Sequence, residues 1–284
     1  MDAGSRELFP AAGNNSRSGR NTMSTEQKKT KMIVAVAAFA AFLATFNETF
    51  LNIGFAPIMS DLKISVSTVQ WLAAAYMLGA AVMVPVSAFA YRSIRTRPLF
   101  LMSVGLLVAG SVIGGLASNF TVLLVGRIVQ ALGTGMLIPI GMNITLEVAP
   151  REKLGAYMGI MGAMTTLGPS LGVFAAGGIL SFFSWHMLLW VFAALSLMLF
   201  ICGAFLPGNI AKLTHPRLDA ASVSLAGVSL IGILYGISTA LSGDMRIAGA
   251  AFAAGLMLLY VFVRRQKKLK EPLISLNPFS SKTF

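Results

Sequence analysis

The chain has one cysteine, two histidines and only ten Asp and Glu in 284 residues. The lone Cys202 excludes an intrachain disulfide. His186 and His215 are far apart, and no His or Cys pair has metal-ligand spacing, so no metal is implied. No nucleophile–base constellation or phosphate loop is present, so the chain does not read as an enzyme and calls for no cofactor. Residues 1–22 lack the apolar core of a signal peptide. Charge is also lopsided, with 22 Lys and Arg giving a net charge of +12.

What fills the chain instead is apolar sequence. Eight long apolar stretches cover residues 32–56, 69–91, 98–117, 120–148, 154–180, 186–206, 221–241 and 247–263. Most are long enough to cross a hydrocarbon core of about 30 Å at about 1.5 Å per residue. Backbone groups in lipid must be satisfied within the segment, so such stretches are helices. The chain reads as an all-α polytopic membrane protein with the lipid bilayer as its first partner.

The basic residues orient it. Six lie before the first stretch (Arg6, Arg17, Arg20, Lys28, Lys29, Lys31), and Arg92, Arg95 and Arg97 lie between the second and third. Arg151 and Lys153 follow the fourth, and Lys212 and Arg217 the sixth. Another six follow the eighth, from Arg264 to Lys282, while the opposite loops carry only Lys63 and Arg246. The positive-inside rule therefore predicts a multi-pass protein with both termini cytoplasmic. Basic residues dispersed in this way are accounted for by topology and anionic lipid, and do not point to nucleic acid.

Residues 1–22 are rich in Gly, Ser, Asn and Arg without periodicity, and residues 1–31 are expected to be a disordered basic tail. Met23 is a candidate start. The remaining divisions are a six-helix unit at 32–206, a linker at 207–220, a helix pair at 221–263 and a basic segment at 264–284 that leads towards a further helix.

Two charges sit inside apolar stretches, Glu48 and Arg127. Burial of such groups costs at least about 2.5–3.5 kcal/mol, which marks them as functional candidates. Counting at 1.5 Å per residue puts Glu48 about 24 Å and Arg127 about 20 Å above the inner boundary. A pair is allowed, direct or through Asn47, Asn52 or water. Glu48 then reads as a proton-binding carboxylate tuned by a cation and by burial, or as a structural partner of Arg127.

The fifth stretch has small residues at helical spacing. Gly155, Gly159 and Gly162, then Gly168 and Gly172, predict close helix approach. Pro169 removes a backbone hydrogen bond and predicts a bend. Gly133 and Gly135 suggest similar packing in the fourth stretch. Trp71 and Trp185 are expected in the outer aromatic belt.

These motifs resemble known ones. Gly126-Arg127, with Gln130 and Gly133 following, resembles the helix-four motif of major facilitator superfamily transporters. Gly168-Pro169-Ser170-Leu171-Gly172, with Gly177-Gly178, resembles the helix-five motif of that superfamily's proton-coupled drug exporters. Asn47-Glu48-Thr49 through Asn52, with Pro57 and Asp61, resembles the helix-one motif of its fourteen-helix drug/proton antiporter branch. The loop carrying Arg92, Arg95 and Arg97 corresponds to the cytoplasmic gate loop, with Tyr91 where the family has Asp. Asn47 likewise occupies the place of a frequent Asp, with Glu48 as the substitute carboxylate.

The resemblance implies a six-helix N-terminal half-bundle with two additional transmembrane helices, the C-terminal half being absent. It implies proton-coupled export of drugs or other small apolar or cationic compounds from a bacterial plasma membrane. Arg127 would shape proton transfer, and the Gly168-Pro169 motif would favour outward export. Substrate in such transporters binds between two halves. The alternatives are therefore a fragment without autonomous transport, a transporter completed by a second polypeptide, and an uptake permease of the same fold.

Overall fold

The structure is a computed structural model and describes residues 15–210, 213, 220–241 and 245–268. Its helices are α1 (Asn15–Phe50), α2 (Phe55–Leu62), α3 (Val66–Ser93), α4 (Thr96–Gly115), α5 (Phe120–Val148), α6 (Leu154–Leu180), α7 (His186–Ala204), α8 (Ala220–Leu241) and α9 (Met245–Lys268). Among the described residues seven segments are long and apolar enough to cross a membrane, and α8 contributes a shorter apolar run, Ala221–Ile237. The expected all-helical architecture is what forms. His215, Lys212, Arg217 and the lead towards a further helix after Lys268 lie outside the described residues.

Two expectations need correction. The tail is helical from Asn15, where disorder was expected through residue 31. Glu26, Gln27, Lys28 and Lys29 are good helix formers, and extending a helix already nucleated by the apolar segment costs little. The first apolar stretch, in turn, is not one uninterrupted helix. It breaks after Phe50 into a 3-10 turn, Asn52–Gly54, and resumes as α2. Asn52 and Gly54 favour helix poorly, and a Pro57 inside a continuous helix would clash with the Ile53 carbonyl. At the third position of α2, Pro57 needs no N–H partner.

Local signals set the other ends. Ser65 Oγ accepts from Thr68 N at 3.2 Å to start α3, and Asn119 Oδ1 accepts from Val122 N at 3.0 Å to start α5. Lys63 closes α2 in the left-handed region at φ 51° and donates its N–H to the Met59 carbonyl.

The helices pack around α1 and α5. α1 contacts α5, α6 and α7, α4 contacts α5 and α7, and α3 packs on α5. The α8–α9 hairpin docks on α3 through Gly227 against Val82 and Trp71 near Tyr235. Glycines set the α4–α5 distance. A Cβ on Gly110 would lie 2.6 Å from the Gly126 carbonyl oxygen, and one on Gly126 would lie 2.8 Å from that of Gly110. Gly133 abuts the Ser103 carbonyl on α4, and Gly135 abuts Ala80 on α3. At one end of the bundle Thr96 donates through N and Oγ1 to Asn209 Oδ1 (3.4 and 3.3 Å), tying the segment after α7 to the start of α4.

Trp185 is also corrected. It is 2% exposed, its ring stacks on His186, and its Nε1 donates to Asp61 Oδ2 at 2.9 Å. The carboxylate of Asp61 holds the indole inside the bundle, where an aromatic belt would face lipid. Trp185→Phe should destabilise the protein by about 1.5–3 kcal/mol, the scale of a hydrogen bond to a charged acceptor. Thermal unfolding in a fixed detergent checks this, and an unchanged transition would mean that α2 is anchored by packing alone. Trp71 is 44% exposed, as an interfacial residue would be.

Candidate functional site

Arg127 in α5 is 1% exposed, the largest fully buried side chain among the described residues. A buried guanidinium requires acceptors, and α1 and α5 supply them. Its Nη1 donates to Gln130 Oε1 at 3.1 Å, Asn47 Oδ1 at 3.2 Å and the Asn47 carbonyl at 3.4 Å. Gln130 lies one helical turn on, so it shares the Arg127 face. Its Nε2 donates to Ser111 Oγ of α4 at 2.8 Å. The Arg127 Cζ lies 4.0 Å from the centroid of the Tyr76 ring, a cation–π contact from α3. Four helices thus meet at one cation, whose Nε and Nη2 have no hydrogen-bond partner.

Glu48 is not on the guanidinium. Arg127's hydrogen bonds go to Asn47 and Gln130, so of the arrangements the sequence allows, Asn47 stands between the charges. Glu48 is exposed into a cavity of about 330 Å³ between α1, α3 and α5, close enough to interact electrostatically with Arg127 and Tyr76. Ala44 and Glu48 of α1, Tyr76, Met77 and Val84 of α3, and Thr134, Gly135 and Pro139 of α5 line it. Among the described residues Glu48 is the one charged residue in that wall. Pro139 lacks an N–H, so the Gly135 carbonyl loses its helical partner where α5 passes the cavity.

A second contact joins α1 to α6. Thr49 Oγ1 donates to the Pro169 carbonyl at 3.2 Å. A Cβ on Gly168 would meet Thr45 Oγ1 and lie 2.9 Å from the Phe42 carbonyl oxygen; one on Gly172 would lie 2.8 Å from Thr49 Oγ1. Thr49, Gly168, Pro169 and Gly172 are therefore brought together. Gly155, Gly159 and Gly162 have open space where a Cβ would go, against the expected close packing, and so do Gly177 and Gly178. They lie on a face of α6 with no neighbour among the described residues, and Phe174 of the same helix is 84% exposed.

The other candidates are dispersed. Asn52 lies in the 3-10 turn with a buried Oδ1 that has no partner, and Asp61 holds Trp185. Arg92, Arg95 and Arg97 are exposed around the α3–α4 loop, while Tyr91 beside them is buried with an unpartnered hydroxyl. Gly126 and Gly133 set packing distances on α4. Sequence reading missed Tyr76, Thr134 and Ser111. Gln130 was within reach through its i, i+3 spacing from Arg127, but those three act across helices and leave no local pattern.

The sequence matches the Major Facilitator Superfamily over residues 37–276. The chain belongs to that superfamily. It is 33% identical over 264 residues to the lincomycin resistance protein LmrB of Bacillus subtilis (strain 168), covering 92% of this chain and 55% of LmrB. It is 31% identical over 265 residues to the MFS-type transporter YcnB of the same organism, covering 92% and 56%. The chain thus spans about half the length of these bacterial relatives. The fold is also that of the proton:xylose symporter XylE, with a TM-score of 0.59 at 11% identity over 86% of this chain and 55% of XylE. The relatives and structural neighbours that it matches are membrane transporters, not enzymes.

Proposed function

We propose that this chain forms the N-terminal half-bundle and the additional helix pair of a proton-coupled exporter of small apolar or cationic compounds. The observation that carries this reading is Glu48, the single charge in the wall of a largely apolar cavity beside a buried arginine. Such a cavity suits a lipophilic cation, and the same carboxylate suits a proton. Binding of either changes the charge of the cavity and biases the alternation of access. Arg127 tunes Glu48 from across Asn47. The α1–α6 contact at Thr49, Gly168 and Pro169 is the packing pivot. Lincomycin resistance in the name of LmrB and the helix-five motif both favour export. The alternation of basic loops favours cytoplasmic termini, with Arg92, Arg95 and Arg97 on that side.

The open face of α6 supports a further element of this proposal. The rest of a transporter covers that face, whether supplied by further chain or by a second polypeptide.

Glu48→Gln keeps the shape and removes the titratable charge. In inverted membrane vesicles, proton-driven accumulation of a fluorescent cationic dye should fall to background while the inserted protein is unchanged. Unimpaired coupling in that variant would overturn the assignment.

A further inference from the structure

Tyr76 belongs both to the wall of the Glu48 cavity and to the surroundings of Arg127. Its ring carries the guanidinium at 4.0 Å. Its hydroxyl is pinned from two helices. It accepts from Asn47 Nδ2 at 3.3 Å, and its proton serves Thr134 Oγ1 at 2.9 Å or the Ala44 carbonyl at 3.3 Å. A ring held in this way cannot swing aside without breaking contacts to α1 and α5. Arg127 takes no part in the cavity wall and is 1% exposed, yet two of its nitrogens have no partner. A buried cation with two free nitrogens and no ion pair among the described residues would normally be drawn to a nearby carboxylate, because opposite charges attract more strongly at a protein than in bulk water.

We infer that Tyr76 is the specificity-determining residue of this cavity: its ring takes the Arg127 charge on its π face and walls it off, so that Glu48 stays free to receive organic cations and anions are refused. The inference rests on the reading of Glu48 as the cavity's binding carboxylate. With the ring gone, the free Nε and Nη2 reach the cavity, the guanidinium pairs with Glu48, and an organic cation meets a neutralised site. An organic anion then gains a partner it previously lacked. Tyr76 acts by position and by its π face, and its hydroxyl serves only to hold the ring.

The test uses two probes of nearly the same shape and opposite charge, tetraphenylphosphonium and tetraphenylborate. Their binding is measured on the purified full chain in lipid nanodiscs, with empty nanodiscs subtracted for partition into lipid. The wild-type protein should bind the cation in a manner abolished by Glu48→Gln, and should show no saturable binding of the anion. Tyr76→Phe retains the ring and should keep this preference within about threefold. Tyr76→Leu fills much of the space without a π face and should lose at least about tenfold in cation affinity while gaining saturable anion binding. Tyr76→Ala should do the same more strongly, and Leu decides the matter if Ala does not fold.

An unaltered cation preference in Tyr76→Leu would overturn the inference. So would equal weakening of both probes, the sign of a structural role, or a Tyr76→Phe variant that behaves like Leu. Wild-type protein with no Glu48-dependent cation binding would instead overturn the reading of the cavity itself, and the role of Tyr76 with it.

Discussion

Arg127→Ala is expected to destabilise the protein by about 4 kcal/mol, and Arg127→Met by no more than about 2 kcal/mol. Alanine leaves a hole where the largest buried side chain stood, with no described opening to the surface. It also strands the side-chain oxygens of Asn47 and Gln130, each at a cost of about 1–3 kcal/mol. Methionine strands the same oxygens but fills most of the volume. Both variants remove a charge whose burial costs at least about 2.5 kcal/mol and whose Nε and Nη2 recover none of it through hydrogen bonds, which offsets part of either loss. Replacing buried ionic groups with apolar ones of similar size is often tolerated for this reason. Unfolding of the two variants in one detergent measures the gap. Met falling as far as Ala would mean that the guanidinium holds the helices together. The expected gap measures the volume that Arg127 fills, and a small loss in Met means that the buried charge adds little net stability.

The second large effect is a contrast of sign along one helix. Gly168→Ala should destabilise by about 1–3 kcal/mol, because the new methyl meets Thr45 Oγ1 and lies 2.9 Å from the Phe42 carbonyl oxygen and the Phe46 nitrogen. Two of those three obstacles are backbone, so a rotamer change cannot relieve them and α1 must move away from α6. Gly159→Ala, two and a half turns earlier, meets nothing within 4 Å and should stabilise α6 by up to about 1 kcal/mol through helix propensity. Thermal unfolding of both variants is the readout, and cross-linking of cysteines placed on α1 and α6 reports the separation. A neutral Gly168→Ala would show that the α1–α6 seam is loose, and the packing pivot assigned to it would go. A destabilising Gly159→Ala in a full-length assembly would show that another helix covers this face there.

Much of the site was legible before the fold. Glu48 and Arg127 stand out because charge is scarce in apolar sequence, and Gln130 shares the Arg127 face by spacing. Asn47 follows from its place beside Glu48. Gly168 and Gly172 announce a close approach by their four-residue interval, but Gly155, Gly159 and Gly162 carry the same signature and approach nothing among the described residues. Small-residue spacing says that a helix can be approached, and only the neighbours decide whether it is. Trp185 illustrates the same limit. Its place at a helix start suits an aromatic belt, but Asp61 lies 124 positions earlier in the chain and draws the indole inward.

The sequence by itself determined the class of this protein. Runs of apolar residues can bury their backbone polarity only as helices. The rarity of charge also named the two residues on which function is argued. Tertiary structure decided the rest. Of the Glu48–Arg127 arrangements that the sequence allows, it chose the one through Asn47, with the carboxylate in a cavity wall and the cation buried against Asn47, Gln130 and the Tyr76 ring. The reason is physical. Helical periodicity fixes which residues share a face, whereas the distance between two faces is set by the glycines and rings that meet there, and those come from different helices.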